Sequence, residues 1–394
     1  MKAWLSNLNL RFDRNEISGS LGDMGTFLPL VAGMVNRCGM NLGHILFFAG
    51  AMNLVTGFTF GIPMPVQPMK AIAAVAITEG MTQNTIIASG IAAGIAMLIL
   101  SATGLINFVY RIVPKPVVRG LQLAIGLKLL IKGVEMIAGT GRLLAPDSVI
   151  TALFCLSIAL LSFRYKKIPG ALVIFILGAG LLFWARPDVL SRLTLGWELP
   201  HLIFPSTSDF LTGFWRSAVP QIPLTVMNSV IAVCALSADF FPERPLSPRK
   251  VSMSVAIMNL ISCPLGGMPM CHGSGGLAAQ YRFGARTGGS VVFLGLGKML
   301  LAVAFGSSLL TIISVYPASV LGVLLAFSGY ELAIVCRDQT ALSRILIMVL
   351  TAGVCIAVNI AVGTIVGFIL ALFLFKGLPG SQSRRVNSEN VTKT

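Results

Sequence analysis

Charge is what this sequence has least of: Asp, Glu, Lys and Arg make up 11% of its 394 residues, and only 14 of them are acids. A chain that is 55% hydrophobic cannot cover a water-exposed surface with so few charged side chains, which excludes a soluble globular fold. Cysteine numbers 7 and histidine 3. No C-x-x-C spacing occurs, so neither a zinc nor a redox site is indicated and the cysteines read as small apolar packers. No H-E-x-x-H, G-x-S-x-G or nucleotide-binding loop occurs, which leaves an embedded enzyme or an ATP-driven pump without support. The expectation is therefore no catalytic residue, no metal and no cofactor. Long polar stretches are also scarce, and no cleavable signal peptide is expected, because the first 16 residues are polar and mixed in charge.

What the sequence does have is apolar runs of helical length, at a mean hydropathy of +0.86. In the first half they fall at roughly 17–35, 43–60, 68–80, 83–104, 117–137, 148–163 and 168–186. In the second half they fall at roughly 216–236, 250–263, 273–282, 289–313, 317–335, 342–357 and 360–376. The fold class expected is an all-α polytopic membrane protein of 14 segments. The net charge of +15 would suggest nucleic acid if it lay on a soluble face. Instead the basic residues sit in short gaps between apolar runs, among them Arg111/Lys115/Arg119, Arg164/Lys166/Lys167, Arg244/Arg249/Lys250 and Arg282/Arg286. With the N-terminus inside, all of these fall on one side, as the positive-inside rule requires. No nucleic-acid partner is expected; the partners are the bilayer and a transported solute, and a homodimer is compatible with these features.

The halves resemble one another. Gly61-Ile-Pro-Met-Pro-Val-Gln-Pro-Met-Lys70 precedes the short third segment, and Gly266-Gly-Met-Pro-Met-Cys-His-Gly-Ser-Gly275 precedes the short tenth. An offset of 205 aligns them without a gap and sets Gln67 opposite His272. Seven segments per repeat is an odd number, so the repeats are inverted in the membrane. Broken, Gly/Pro-rich segments at matching places in inverted repeats point to a transporter's midplane site. Prolines at 65 and 68 favour extended chain and then a helix start. Two helix N-termini, each with unpaired N–H groups and about half a positive charge, would face a common pocket that favours an anion.

Candidate ligands follow from proximity to those starts. Gln67 and His272 supply neutral donors, Gly273 a close backbone approach, and Ser274 a first-turn hydroxyl. Lys70 lies one turn into the third segment, where a cation opposes the dipole and needs an anion, a carboxylate or water. Asp23, in Gly22-Asp-Met-Gly-Thr-Phe-Leu-Pro29, is an intramembrane acid and a candidate for coupling to protons. The eighth segment adds Gln221, Thr225, Asn228 and Ser229 between and after two prolines. Lys128, Glu135, Lys298 and Glu331 read instead as interhelical pairs or end residues.

These motifs, with Pro63-Met-Pro-Val-Gln-Pro-Met-Lys70 and Met270-Cys-His-Gly-Ser-Gly-Gly-Leu-Ala-Ala-Gln-Tyr-Arg-Phe-Gly-Ala-Arg286 the longest, resemble the molybdate transporter family, a distant relation of sulfate permeases. The resemblance runs from about 17 to 376 and implies the fold of the uracil-permease and sulfate-permease group. It implies a core domain at 17–104 and 216–313, a gate domain at 105–186 and 314–376, a cytoplasmic N-terminus at 1–16, an external linker at 187–215 and a cytoplasmic tail at 377–394, expected to be disordered. It further implies molybdate uptake by alternating access, with Gln67, Lys70, His272, Gly273 and Ser274 leading and Asp23, Thr26, Gln221 and Asn228 beside them. Protons are the first coupling ion to expect, and the inner cell membrane the expected location. A permease for sulfate or another anion would share every one of these features; an anion channel is a more distant alternative. Unlike a typical sulfate permease, the chain is not expected to carry a cytoplasmic C-terminal domain.

Overall fold

Residues 10–165 and 169–375 are described by the computed structural model of the chain. The expected tail at 377–394, Lys166, Lys167 and the side chain of Glu331 lie outside that description. All fourteen expected runs are helical. In chain order the elements are α1 (Arg14–Leu21), α2 (Met24–Cys38), α3 (Leu42–Phe60), β1 (Val66–Pro68), α4 (Lys70–Glu79), α5 (Gln83–Ala102), α6 (Leu105–Ile112), α7 (Lys115–Ala138), α8 (Val149–Arg164) and α9 (Gly170–Ala185). The second half continues with α10 (Thr207–Phe240), α11 (Pro248–Ser262), β2 (Met270–His272), α12 (Ser274–Arg282), α13 (Gly289–Phe305), α14 (Ala318–Ile334), α15 (Leu342–Ala357) and α16 (Ile360–Phe375).

Two boundaries differ from the sequence reading. The first segment is broken: α1 starts at Asp13, whose carboxylate accepts from the backbone of Asn15 and Glu16, and ends at Gly22, so that Asp23 sits between two helices. The eighth segment starts inside the stretch expected to be an external linker. Ser206 and Asp209 form a reciprocal capping box there, which fixes the first turn of α10 well before its apolar stretch begins. Farther along, Pro220 and Pro223 withdraw two N–H groups, and the helix absorbs the loss in π-helical turns at Phe214–Ala218 and Thr225–Ala232.

The packing obeys the symmetry of an inverted repeat. Segment 2 (α3) packs on segment 11 (α13), and segment 9 (α11) on segment 4 (α5); exchanging the halves turns the first pair into the second. The third and tenth segments pair through β1 and β2, and the fifth (α7) packs along the twelfth (α14), two contacts that the same exchange maps onto themselves. Glycines permit the closest approaches. A Cβ added at Gly50 would lie 2.6 Å from the carbonyl of Gly295, and one at Gly133 would lie 2.5 Å from that of Gly322, so backbones meet where no hydrophobic force separates helix from lipid. Two bundles result: α3, α5, α11 and α13 in one, and α7, α14, α15 and α16 in the other.

β1 and β2 are antiparallel, with Val66 opposite His272, Gln67 opposite Cys271 and Pro68 opposite Met270. Extended chain at this depth needs partners for its polar backbone. Two asparagines supply them, one in each half. Asn53 on α3 accepts from Val66 N at 2.9 Å; Asn259 on α11 accepts from Met270 N at 2.8 Å and donates to Met270 O at 2.6 Å.

Candidate functional site

The two breaks lie side by side, and a helix leaves each of them. α4 starts at Lys70 directly after β1, and α12 at Ser274 directly after β2, an offset of 204 rather than the 205 of the gapless alignment. The difference of one residue matters because side chains in a strand alternate between faces. Gln67 corresponds to Cys271, its cross-strand neighbour, and not to His272. Short low-complexity matches cannot fix a register to one residue.

Gln67 and Asp23 meet. Gln67 is fully buried and its Nε2 donates to Asp23 Oδ1 at 2.5 Å, so Asp23 does not cap its own helix: its carboxylate reaches across to the strand. The Gln67 amide packs on the start of α12, where a Cβ at Gly273 would overlap its oxygen and one at Gly276 its nitrogen; the glycines there make room for it. Thr26, one turn into α2, also hydrogen-bonds Asp23. Around the carboxylate stand two lysines. Lys70 and Lys298 both attract it electrostatically, and the Lys298 ammonium lies 3.5 Å from the centroid of the Phe27 ring, a cation–π contact in a water-poor setting. The Lys70 ammonium is buried with no hydrogen-bond partner among the described residues. With all three groups ionised, two cations face one carboxylate, and buried charge in excess calls for a counter-ion.

The helix starts are unequal. Gln221 Oε1 accepts from Ala71 N at 2.8 Å and Ile72 N at 3.3 Å, and its Nε2 donates to Thr225 at 2.9 Å. A side chain from α10 therefore caps α4 and answers two of the donors left over in its first turn. At α12 the cap residue is Gly273, which has no side chain to offer, and Ser274 turns its hydroxyl to Asn228 Oδ1 at 2.6 Å. Among the described residues no side chain caps the first-turn N–H groups of α12, and such donors suit an anion. Replacement of Gln221 by alanine is expected to destabilise the protein by roughly 1–3 kcal/mol, the penalty of stranding buried donors. Denaturant titration of the detergent-solubilised protein would measure it, and an unchanged midpoint would remove Gln221 as the cap.

The remaining expected ligand lies elsewhere. His272 is on the opposite strand face, where its Nε2 is 3.1 Å from Ser254 Oγ and its ring meets Phe60 edge-on at 6.0 Å. Two participants were missed by sequence reading. Cys271 faces Gln67, hydrogen-bonds Ser229 and lies within electrostatic reach of Lys70; strand alternation from Gln67 in the correct register would have found it. Lys298 reads from sequence as an interhelical pair or end residue, although a lone lysine in a long apolar run is itself the signal of a buried role. Lys128, in contrast, is an interhelical donor as expected, to Cys355 O at 2.8 Å.

Comparison with known proteins fits this geometry. The family described as "Molybdate transporter of MFS superfamily" matches residues 15–129 and 213–332, the stretches that hold every candidate ligand named above. "Molybdate transporter 2" of Arabidopsis thaliana is 40% identical over 91% of this chain and 87% of its own length. "Molybdate transporter 1" of Chlamydomonas reinhardtii is 32% identical over 90% of each. Among solved structures, the transmembrane domain of the cyanobacterial bicarbonate transporter BicA superposes with a TM-score of 0.58 at 14% identity, covering 91% of this chain and 97% of that one. Murine Slc26a9, described as an anion transporter in the inward-facing state, superposes at 0.64 and 13% identity, covering 95% and 70%. At such identities the likeness concerns fold alone. That fold is the uracil-permease-like one of two inverted seven-segment repeats.

Proposed function

The chain belongs to the molybdate transporter family and is a multi-pass membrane transporter, and from this premise we propose that it takes up molybdate at the start of α12. The observation that carries the reading is the Lys70 ammonium, buried without a hydrogen-bond partner among the described residues, together with a second helix start whose cap residue, Gly273, offers no side chain. A tetrahedral dianion supplies what that arrangement lacks: two negative charges and acceptor oxygens for N–H groups. Lys70, Gly273 and Ser274 touch the ion, Gln67 and Thr26 hold Asp23, and Gln221 and Asn228 fix the two helix starts. His272 supports β2 from behind rather than binding the ion.

Transport follows if the bundle carrying the strands, at 17–104 and 216–313, moves against the bundle at 105–186 and 314–376, so that one site opens alternately to each side. Bringing two negative charges into a negative-inside cell costs about 4.6 kcal/mol per 100 mV, so a co-transported cation is required at low external substrate. Asp23 is the acid placed to carry a proton, since neutralising it leaves both lysines to the substrate. Both termini lie in the cytoplasm and the protein sits in the cell's inner membrane on this reading.

Uptake of labelled molybdate into proteoliposomes tests the proposal. Saturable uptake that persists in a hundredfold excess of sulfate supports it; equal competition by sulfate would make the protein a general oxyanion permease, and no uptake would overturn it.

A further inference from the structure

On the side of β2 away from Asp23, a groove of about 550 Å³ opens between α3, α5 and α11. Its walls are mostly apolar, built from Met52, Val55, Phe60, Met253, Ile257 and Met258, with hydroxyl side chains from Thr59, Ser101 and Ser254 set among them. Val55 is 52% and Ile257 44% exposed, so the groove opens sideways from the helix bundle, at membrane depth. One end is different. Arg249 and Lys250, both exposed, line it there, and no acid does. Arg249 is held in place by its Nε bond to Ser101 O at 3.0 Å, where the C-terminus of α5 welcomes a cation; Lys250 stands beside it. Also lining the groove, Thr56 is 1% exposed and its hydroxyl has no partner among the described residues.

We propose that this groove binds one anionic phospholipid, with its acyl chain along the apolar walls, its phosphate against Arg249 and Lys250, and Thr56 donating to a polar atom of the glycerol region. The volume lies within the range of small-molecule sites. The lining combines what an amphiphile needs: two cations, four hydroxyl side chains (Thr56, Thr59, Ser101 and Ser254) and a hydrocarbon wall. A soluble anion would use the cations and leave the rest of the groove empty. A neutral lipid would leave two positive charges without a counter-ion. Arg249 and Lys250 belong to the basic clusters that the positive-inside rule assigns to the cytoplasmic leaflet, where anionic headgroups attract such residues.

Native mass spectrometry of the full chain, purified in mild detergent and offered phosphatidylglycerol or phosphatidylcholine, tests the site. The expected result is one retained phosphatidylglycerol per chain and at least fivefold less phosphatidylcholine. Lys250→Glu should reduce retention at least fivefold, as should Val55→Trp, which fills the groove from an exposed position; Ile257→Trp serves the same purpose if the Val55 variant fails to fold. Millimolar inorganic phosphate should not displace the lipid. Equal retention of both lipids, retention indifferent to the tryptophan, or displacement by free phosphate would each overturn the proposal, the last by showing an anion site without a lipid. Molybdate uptake plays no part in these readouts, so their failure leaves the transport reading standing, and the converse.

Discussion

Lys70→Met is expected to weaken molybdate binding at least 100-fold, about 2.7 kcal/mol, while leaving the folded protein as stable as before or more so. The two effects have one cause. In the resting protein the ammonium has been stripped of water and given no hydrogen-bond partner in return, so in the absence of ligand its removal relieves a desolvation penalty rather than breaking a bond. Asp23 keeps its bond from Gln67 and its attraction to Lys298, so the methionine variant leaves a balanced pair behind. Substrate loses the charge that would have faced it. Isothermal titration gives the affinity and thermal unfolding in detergent gives the stability. The opposite pattern, intact affinity with a lowered melting temperature, would make Lys70 a structural counter-ion to Asp23 and withdraw it from the site. Methionine is the appropriate replacement because it keeps the length and apolar volume of the lysine stem.

How far such a site can be read from sequence depends on whether the signal is local. The two breaks were legible because proline and glycine act on the backbone within one or two residues: Pro65 and Pro68 forbid a continuous helix, and Gly273 begins one without a side chain. The anion preference was legible for the same reason, since a helix start carries its donors wherever it points. Register was not. One residue decides whether His272 or Cys271 faces Gln67, and the halves share too few identities to fix that residue. Partners contributed from afar were hidden as well. Nothing near Gln221 says that its oxygen will meet Ala71 and Ile72, or that Asn53 and Asn259 will hold the two strands; each bond joins separate segments. Asn53 and Asn259 do share one trait visible in advance, a carboxamide within a membrane-spanning helix of each repeat, and such residues form hydrogen bonds between segments by default.

Releasing the contact between the two bundles at Arg119 is expected to have the second large effect. Arg119 on α7 is 2% exposed, and its guanidinium joins three carboxamide or carboxylate groups: Asp338 through Nε and Nη2, the latter at 2.7 Å, Asp239 through Nη1 at 2.7 Å, and Gln122 at 2.9 Å. Asp338 follows α14 in the same bundle as α7, whereas Asp239 ends α10 and belongs to the stretch at 216–313 proposed to move. Removing the arginine takes the cation from Asp239 and leaves Asp338 with Lys115 at 2.9 Å and the Gln339 amide at 2.7 Å, so Arg119→Ala should cost roughly 2–4 kcal/mol of stability, the buried-pair penalty reduced because both acids are about a third exposed, and uptake should fall below detection. Asp239→Asn separates the roles. It weakens only the arm that crosses between bundles and spares the forked bond to Asp338, so stability should change by less than about 1 kcal/mol, as for a partly exposed pair. The adjoining cavity of about 330 Å³, lined by Tyr110, Lys115, Ala238 and Asp239, should then open more often. A cysteine placed at Ala238 would report it, reacting with a membrane-impermeant maleimide several-fold faster in the Asp239→Asn background than in the parent. Unchanged labelling together with normal uptake would show that the Arg119–Asp239 bond rides along with the bundles and does not hold them; faster labelling with altered uptake would make it a latch whose strength sets how long one face of the transporter stays shut.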